Sequence, residues 1–340
     1  MSRTTFRVAA TYIGAVMGAG FASGQEILQF FVSYGSLGIA GIVLAGTLFA
    51  VLGWGSLTVI KRYRISTYQE LFVMLLGPRL GRICEIIITL FLFAGLVIML
   101  AGSGAIFHEY LNLSPTLGVI LTALAVLVAL SSKGEGVLWI NTVLIPVKLL
   151  ICLSVCLIVI GLSNNGFADS QSLIVPHRPW YFSAVLYVSF NLTFAQVVLA
   201  SLGAEMRGNT AGGILGGIGL GVFALVIGLA LLVHLPEAST YQVPMVYIAF
   251  RLGPSMGLFY LMVLWFAMIT AAVGNAFSFC KRIESIYHVS YGAVCVFTLI
   301  AAIPLAHLRF SALISVVYPL FGYIGLFTLA PLLYIIVRGR

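Results

Sequence analysis

Apolar residues come in runs of about 16–27 positions along most of the chain, separated by short stretches rich in Lys, Arg, Ser, Gly and Pro. A helix that crosses a bilayer needs about 20 such residues. Ten segments qualify, at 7–33, 37–60, 83–107, 116–131, 137–161, 181–204, 212–235, 255–280, 287–306 and 311–337, the fourth being the shortest. The pattern predicts an all-α polytopic membrane protein of ten transmembrane helices. Composition agrees: 61% of the 340 residues are hydrophobic and only 8% are charged, outside the range of soluble domains. Arg3 and Arg7 before an apolar run imitate a secretory signal, but no soluble segment follows, so an uncleaved first helix is expected.

Basic residues divide unequally between the two sets of loops. With the N-terminus inside, Arg3, Arg7, Lys61, Arg62, Arg64, Arg79, Arg82, Lys133, Arg207, Lys281, Arg282, Arg338 and Arg340 are cytoplasmic, and only Arg178, Arg251 and Arg309 are outside. This bias predicts both termini in the cytoplasm. The net charge of +8 is thus an orientation signal and not a nucleic-acid footprint. The five cysteines, Cys84, Cys152, Cys156, Cys280 and Cys295, lie in or beside apolar runs without metal-ligand spacing and read as packing residues.

Two loops share a text. STYQELFVMLLGPRLG (66–81) follows the second run and STYQVPMVYIAFRLGPSMG (239–257) follows the seventh; both hold STYQ, an amphipathic stretch and LGPxxG. An odd number of spans separates them, so the copies face opposite sides and the repeat is inverted. The expected organisation is a first half over 1–162 (helices 1–5), an outer loop over 163–180 and a second half over 181–340 (helices 6–10).

In folds of this kind, ligand sites lie where the first helix of each half unwinds near the midplane, because unwound backbone is tolerated only where it faces a cavity or protein. The first run contains GAVMGAGFASGQEILQFF, with a predicted break at Gly18, Ala19 and Gly20 and on through Phe21 to Gly24. The sixth reads YVSFNLTFAQ, with a predicted break over 189–194. Candidate binding residues are therefore Gly18, Ala19, Gly20, Phe21, Ser23 and Glu26 in the first half, and Ser189, Phe190, Asn191 and Thr193 in the second. The start of the half-helix after the first break offers free N–H groups for a substrate carboxylate. Close helix packing would explain Gly14, Gly18, Gly20 and Gly24, but not Gln25 and Glu26.

GAGFASGQEILQFF in a ten-helix chain resembles the YkvI family of bacterial membrane proteins and, more distantly, the LeuT-fold transporters of the amino acid, polyamine and organocation superfamily. The resemblance spans the chain. It implies a five-plus-five inverted repeat with helices 1 and 6 broken, in a bacterial inner membrane. It further implies a secondary transporter working by alternating access, with a small zwitterionic or cationic solute such as an amino acid or related amine. No cofactor and no nucleic-acid partner is expected beyond the lipid bilayer, with a sodium ion or a proton for coupling. Sodium-coupled relatives hold the ion between helix 1 carbonyls, here Gly14 and Met17, and helix 8 hydroxyls, here Thr270; Ala271 lacks the second hydroxyl. Lys148, after Pro146 in the fifth run, matches superfamily members in which a helix 5 lysine takes the cation position. That favours proton coupling or sodium independence, with a sodium-coupled symporter or a ligand-sensing receptor as alternatives.

The remaining polar residues carry less. Lys148 could instead cap carbonyls freed by Pro146, and Glu26 could bind an amine, pair with Lys148 or carry a proton. Asn141, Asn275 and Ser278 read as interhelical hydrogen-bond partners, His234 as an interface marker, and Tyr12, Phe21, Phe190 and Phe194 as pocket walls or packing. HEYLN at 108–112 is not a metal motif, GGILGGIGLG at 212–221 is a helix-packing run rather than a phosphate loop, and no nucleophile or triad spacing points to an enzyme.

The inverted repeat has a direct test. Single cysteines at positions 66 and 239, probed in intact cells with an impermeant thiol reagent, are expected to label only at 239; equal labelling of both would remove the inversion.

Overall fold

The computed structural model describes residues 3–131, 135–163, 178–201 and 210–338. Among these there are helices and no strands. The first apolar run is a string of three helices, α1 (Arg3–Val16), α2 (Ala19–Ala22) and α3 (Gln25–Phe30). Then come α4 (Leu37–Arg62), α5 (Tyr68–Leu111), α6 (Pro115–Ser131), α7 (Glu135–Leu162), α8 (Trp180–Ser201) and α9 (Ala211–Val233). The short α10 (Leu235–Ala238) and α11 (Pro244–Arg251) precede α12 (Pro254–Tyr287), α13 (Tyr291–Leu305) and α14 (Phe310–Arg338). Each of the ten runs overlaps a helix or, for the first, a broken one, the end of the sixth (202–204) lying outside the described residues. Among the described residues, six helices (α4, α5, α8, α9, α12 and α14) are long and apolar enough to cross a membrane, and three further apolar segments, 115–131, 146–162 and 291–305, are shorter.

The helices sort into two packed groups. α1, α4, α8 and α9 pack on one another, as do α5, α6, α12 and α13. α14 lies against α8 and α5, and α7 joins α9 to α12. The glycine-rich run at 212–221 is explained by the tightest of these contacts: a Cβ on Gly221 would stand 2.9 Å from the Cα of Gly46, so α4 and α9 meet backbone to backbone.

The two STYQ segments build the same object by different starts. In the first, Thr67 Oγ1 accepts the Glu70 amide at 3.3 Å and Glu70 Oε2 accepts the Ser66 amide at 2.9 Å, a reciprocal cap. This shell of donors holds the exposed Glu70 carboxyl below the usual carboxylate range. The second copy has Val243 where the first has Glu70, and its helix opens on Pro244, whose missing N–H costs nothing in a first turn. Both end on a glycine in a conformation that favours glycine, Gly77 (φ 80°, ψ 169°), where α5 kinks, and Gly253 (φ 129°, ψ 157°), followed by Pro78 at the start of the long arm of α5 and by Pro254 at the start of α12.

Each amphipathic helix is tied to its neighbours. Arg282 on α12 donates to the Tyr68 hydroxyl at 3.1 Å and forms an ion pair with Glu85. At α11, the Gln242 amide donates to both carboxylate oxygens of Glu109 at 3.0 and 3.1 Å, and the Tyr110 hydroxyl donates to Val243 O at 2.7 Å.

Gly77→Ala and Gly253→Ala are each expected to lower stability by about 1–3 kcal/mol, the usual cost of an L-residue in such a conformation. Thermal unfolding in detergent reads this; an unchanged midpoint for both would mean that the turns are not held as described.

Candidate functional site

The site grows from the failure of the first run to stay helical. The Gly18 amide turns to Val16 O at 2.9 Å, away from Gly14 O, and the Met17 amide goes to Ile13 O at 2.8 Å. None of the backbone hydrogen bonds described across this point ends on the carbonyls of Gly14 or Met17. One turn later Gly24 enters the left-handed region (φ 79°) and breaks the chain again. The predicted single break is therefore double, with Ala19–Ala22 forming a helical turn between.

Buried polar backbone must find partners, and the second break finds them from three directions. Tyr260 Oη on α12 donates to Ala22 O at 2.6 Å. The Met245 amide of α11 donates to Ser23 O at 3.0 Å. Ser23 Oγ donates to Gly20 O at 2.6 Å and accepts the Gln25 amide at 3.2 Å. Ser23 thus braces the break rather than facing a ligand, and one of the amides expected to bind a substrate carboxylate is already engaged.

Glu26, in the first turn of α3, is 5% exposed. Its carboxylate lies against Gly20, where a Cβ would collide with Oε1 and stand 3.2 Å from the Tyr318 hydroxyl. Glycine at position 20 is what lets the side chain fold back. Glu26 Oε2 and the Tyr187 hydroxyl are both buried without a hydrogen-bond partner, a costly state for polar atoms. Tyr187 and Tyr318 are within electrostatic reach of the carboxylate. So is Lys148, 7% exposed on α7, which also interacts with Cys152 one turn away. Among the described residues no ion pair joins Glu26 to Lys148.

The second predicted break, over 189–194, is absent: α8 runs unbroken from Trp180 to Ser201. Its polar residues are satisfied without unwinding. Thr193 Oγ1 donates to Ser189 O at 2.8 Å and Asn191 Nδ2 donates to Tyr187 O at 3.0 Å, each one turn back. Ser189 Oγ donates to Gly322 O of α14 at 2.7 Å, Thr193 lies 3.2 Å from Thr328 Oγ1, and Gln196 Nε2 donates to Ser56 Oγ at 3.1 Å. Without glycine or proline between 180 and 201, nothing forces the helix open. Ser189 and Thr193 therefore serve packing against α14 and are withdrawn from the candidate site.

Tyr187, Phe190, Asn191 and Phe194 stand at helical spacing on α8, and the first two of them meet Phe30 at the end of α3. Phe190 packs on Tyr318 (ring centroids 4.8 Å), Phe30 (5.8 Å) and Tyr187 (5.6 Å), and Phe194 stacks on Phe91 at 3.8 Å. Tyr187, Tyr318, Phe91 and Tyr260 were not singled out by sequence reasoning. The i, i+3, i+4, i+7 spacing could have exposed Tyr187; nothing local marks Tyr318, more than 290 residues from Glu26.

The other expected residues scatter. Ala19 and Phe21 are buried, and a Cβ on Gly18 would meet nothing within 4 Å. Gly14, Ala15, Pro146 and Leu149 line one groove of about 960 Å³, so the end of α1 faces the stretch of α7 that holds Lys148. The Thr270 hydroxyl donates to Ala267 O at 3.1 Å, and the interactions described for Lys148 do not include it. Tyr12 donates to Phe49 O at 3.1 Å, a contact within the α1–α4 group. The Asn275 side chain packs on Gly95 of α5, a packing contact and not the hydrogen bond expected; the side chain of Asn141 lies outside the described residues.

Comparison with known proteins decides the kinship. The chain is 31% identical over 331 residues to the uncharacterized membrane protein YkvI of Bacillus subtilis, covering 96% of this chain and 94% of that one. The chain belongs to the YkvI family. A second Bacillus subtilis relative, the uncharacterized protein YyaD, is 27% identical over 335 residues, with 94% of each chain covered. No family model matches. Among solved structures, the fold is that of the inward-facing conformation of Mhp1 (TM-score 0.71, 14% identity, 94% of this chain and 73% of that one). It is shared with MhsT in complex with L-phenylalanine (0.66, 15%, 95% and 87%) and with the Eremococcus coleocola manganese transporter (0.61, 15%, 97% and 78%). This YkvI-family chain is therefore a multi-pass membrane protein of the LeuT fold.

Ser189→Ala and Thr193→Ala are each expected to lower stability by about 0.5–1.5 kcal/mol, the worth of a buried hydrogen bond, without changing the affinity of whatever ligand binds. Thermal unfolding beside a binding titration checks this; loss of affinity at unchanged stability would return both residues to the site.

Proposed function

We propose that the protein is a secondary transporter of the bacterial inner membrane, with both termini cytoplasmic and inverted halves at 1–162 and 181–340 joined by an outer loop. It moves a small solute bearing an amine by alternating access. The observation that carries the proposal is the buried carboxylate oxygen of Glu26, left without a partner at the break of helix 1 between aromatic walls. Intramembrane ionisable groups are expensive and mark ligand or ion paths. The separate packing of α1, α4, α8 and α9 from α5, α6, α12 and α13 supports rocking of one group against the other.

Coupling is assigned to Lys148. The carbonyls of Gly14 and Met17 lack backbone donors, and the end of α1 shares a groove with residues flanking Lys148. An ammonium supplies the positive charge such carbonyls ask for, so uptake needs no sodium and responds to pH. The same two carbonyls favour a second reading, a sodium ion held by Gly14, Met17 and Thr270. A receptor on this fold would bind the solute without moving it.

Reconstituted protein is expected to accumulate a labelled amine with choline replacing sodium, with a pH dependence that Lys148→Ala removes while the protein stays folded. Binding without accumulation would establish the receptor. Strict sodium dependence, with Lys148→Ala transporting normally, would establish the sodium site.

A further inference from the structure

We infer that the Glu26 site selects amines that carry no carboxylate of their own. The inference rests on the transporter reading above and narrows its ligand from amines in general, amino acids included, to amines alone.

The half-helix that was expected to receive a substrate carboxylate already has one of its first-turn amides engaged and carries a carboxylate of its own. Glu26 stands in the first turn of α3, where a negative charge is favoured by the aligned amides. The amide of Gln25 is held by Ser23 Oγ, and that of Leu28 returns to Gly24 O at 2.9 Å. The protein supplies in cis the carboxylate that an amino acid would otherwise bring.

The unmet needs point the same way. Glu26 Oε2 is an acceptor without a donor, and the Tyr187 hydroxyl beside it is also unpaired. An ammonium brings three N–H donors and no acceptor, so it completes the set. Tyr318, whose hydroxyl lies against Gly20 as the Glu26 carboxylate does, packs on Phe190, which packs in turn on Phe30 and Tyr187. Aromatic faces carry negative charge density, attract cations and disfavour an anion laid over them.

A second carboxylate would enter beside the first. The charged or titratable groups in electrostatic contact with Glu26 are Lys148, Tyr187 and Tyr318, and Lys148 is the one cation among them. A like charge brought next to Glu26 costs several kcal/mol, which amounts to a discrimination of about a hundredfold or more. Specificity here comes from what the site refuses as much as from what it binds.

The experiment uses matched pairs that differ only in the carboxylate: phenethylamine with L-phenylalanine, and isobutylamine with L-valine. Each is titrated against the purified full-length protein in nanodiscs by calorimetry and by thermal shift. At least one amine is expected to bind about a hundredfold tighter than its parent amino acid. Glu26→Gln should weaken that amine by about 10–100-fold, the worth of a charged hydrogen bond, at an unchanged unfolding profile. If Glu26→Gln does not fold, Tyr187→Phe is expected to weaken the amine, and the wild-type pairs still decide. An amino acid binding as tightly as its amine would overturn the inference and leave the transporter reading standing. Failure of every member of both pairs to bind would overturn the inference and the amine ligand together.

Discussion

A carbonyl in the middle of a membrane protein has to be met by a donor, and the fold is arranged around one place where the helix itself provides none. At Ala22 and Ser23 the intrahelical ladder stops, and the missing donors arrive from Tyr260 of α12 and Met245 of α11. Those bonds join the two packed groups of helices and the second amphipathic segment at a single point. Loss of any donor would leave a buried acceptor bare, at about 1–3 kcal/mol each. The position of α11 over helix 1 and the depth at which α12 crosses it are both consequences of this requirement.

The two halves show how far such a requirement can be read from text. In the first half Gly18, Gly20 and Gly24 stand among polar residues, and Gly20 and Gly24 each have a geometric task, so the break was legible. In the second half serine, asparagine and threonine imitate the same polarity without the glycines. Their side chains bond one turn back or across to α14, and the helix survives. Polarity alone does not unwind a helix; backbone freedom must accompany it. Gly77 and Gly253 make the same point, since the LGP text fixed both turns despite different caps on the helices before them.

What sequence could not supply was company. Glu26 and Lys148 were visible as isolated charges, yet their shared environment depends on how α7 and α14 lean on helix 1. Tyr318 and Tyr260 are ordinary aromatic residues in apolar runs, indistinguishable there from packing until the fold brings their hydroxyls to the break. Ser189 and Thr193 were the converse, polar residues at the right depth on the wrong face of α8.

The bracing of helix 1 is unequal at its two ends. α3 is clasped: Ser183 donates to Phe30 O at 2.8 Å, Met245 holds Ser23, and α11 is itself anchored through Glu109 and Tyr110. α1 borders a groove and joins the rest of the helix through Met17 and Gly18, neither of which has a side chain that can donate a hydrogen bond across the gap. A rod fixed at one end and jointed near its middle bends at the joint. Moving the N-terminal side asks for rotation at two residues and for α1 to slide on α8 and α9, whereas opening on the opposite side asks several hydrogen bonds to part together. A cross-link from α11 to α3 would hold the clasped side together while leaving rotation at Met17 and Gly18 unhindered.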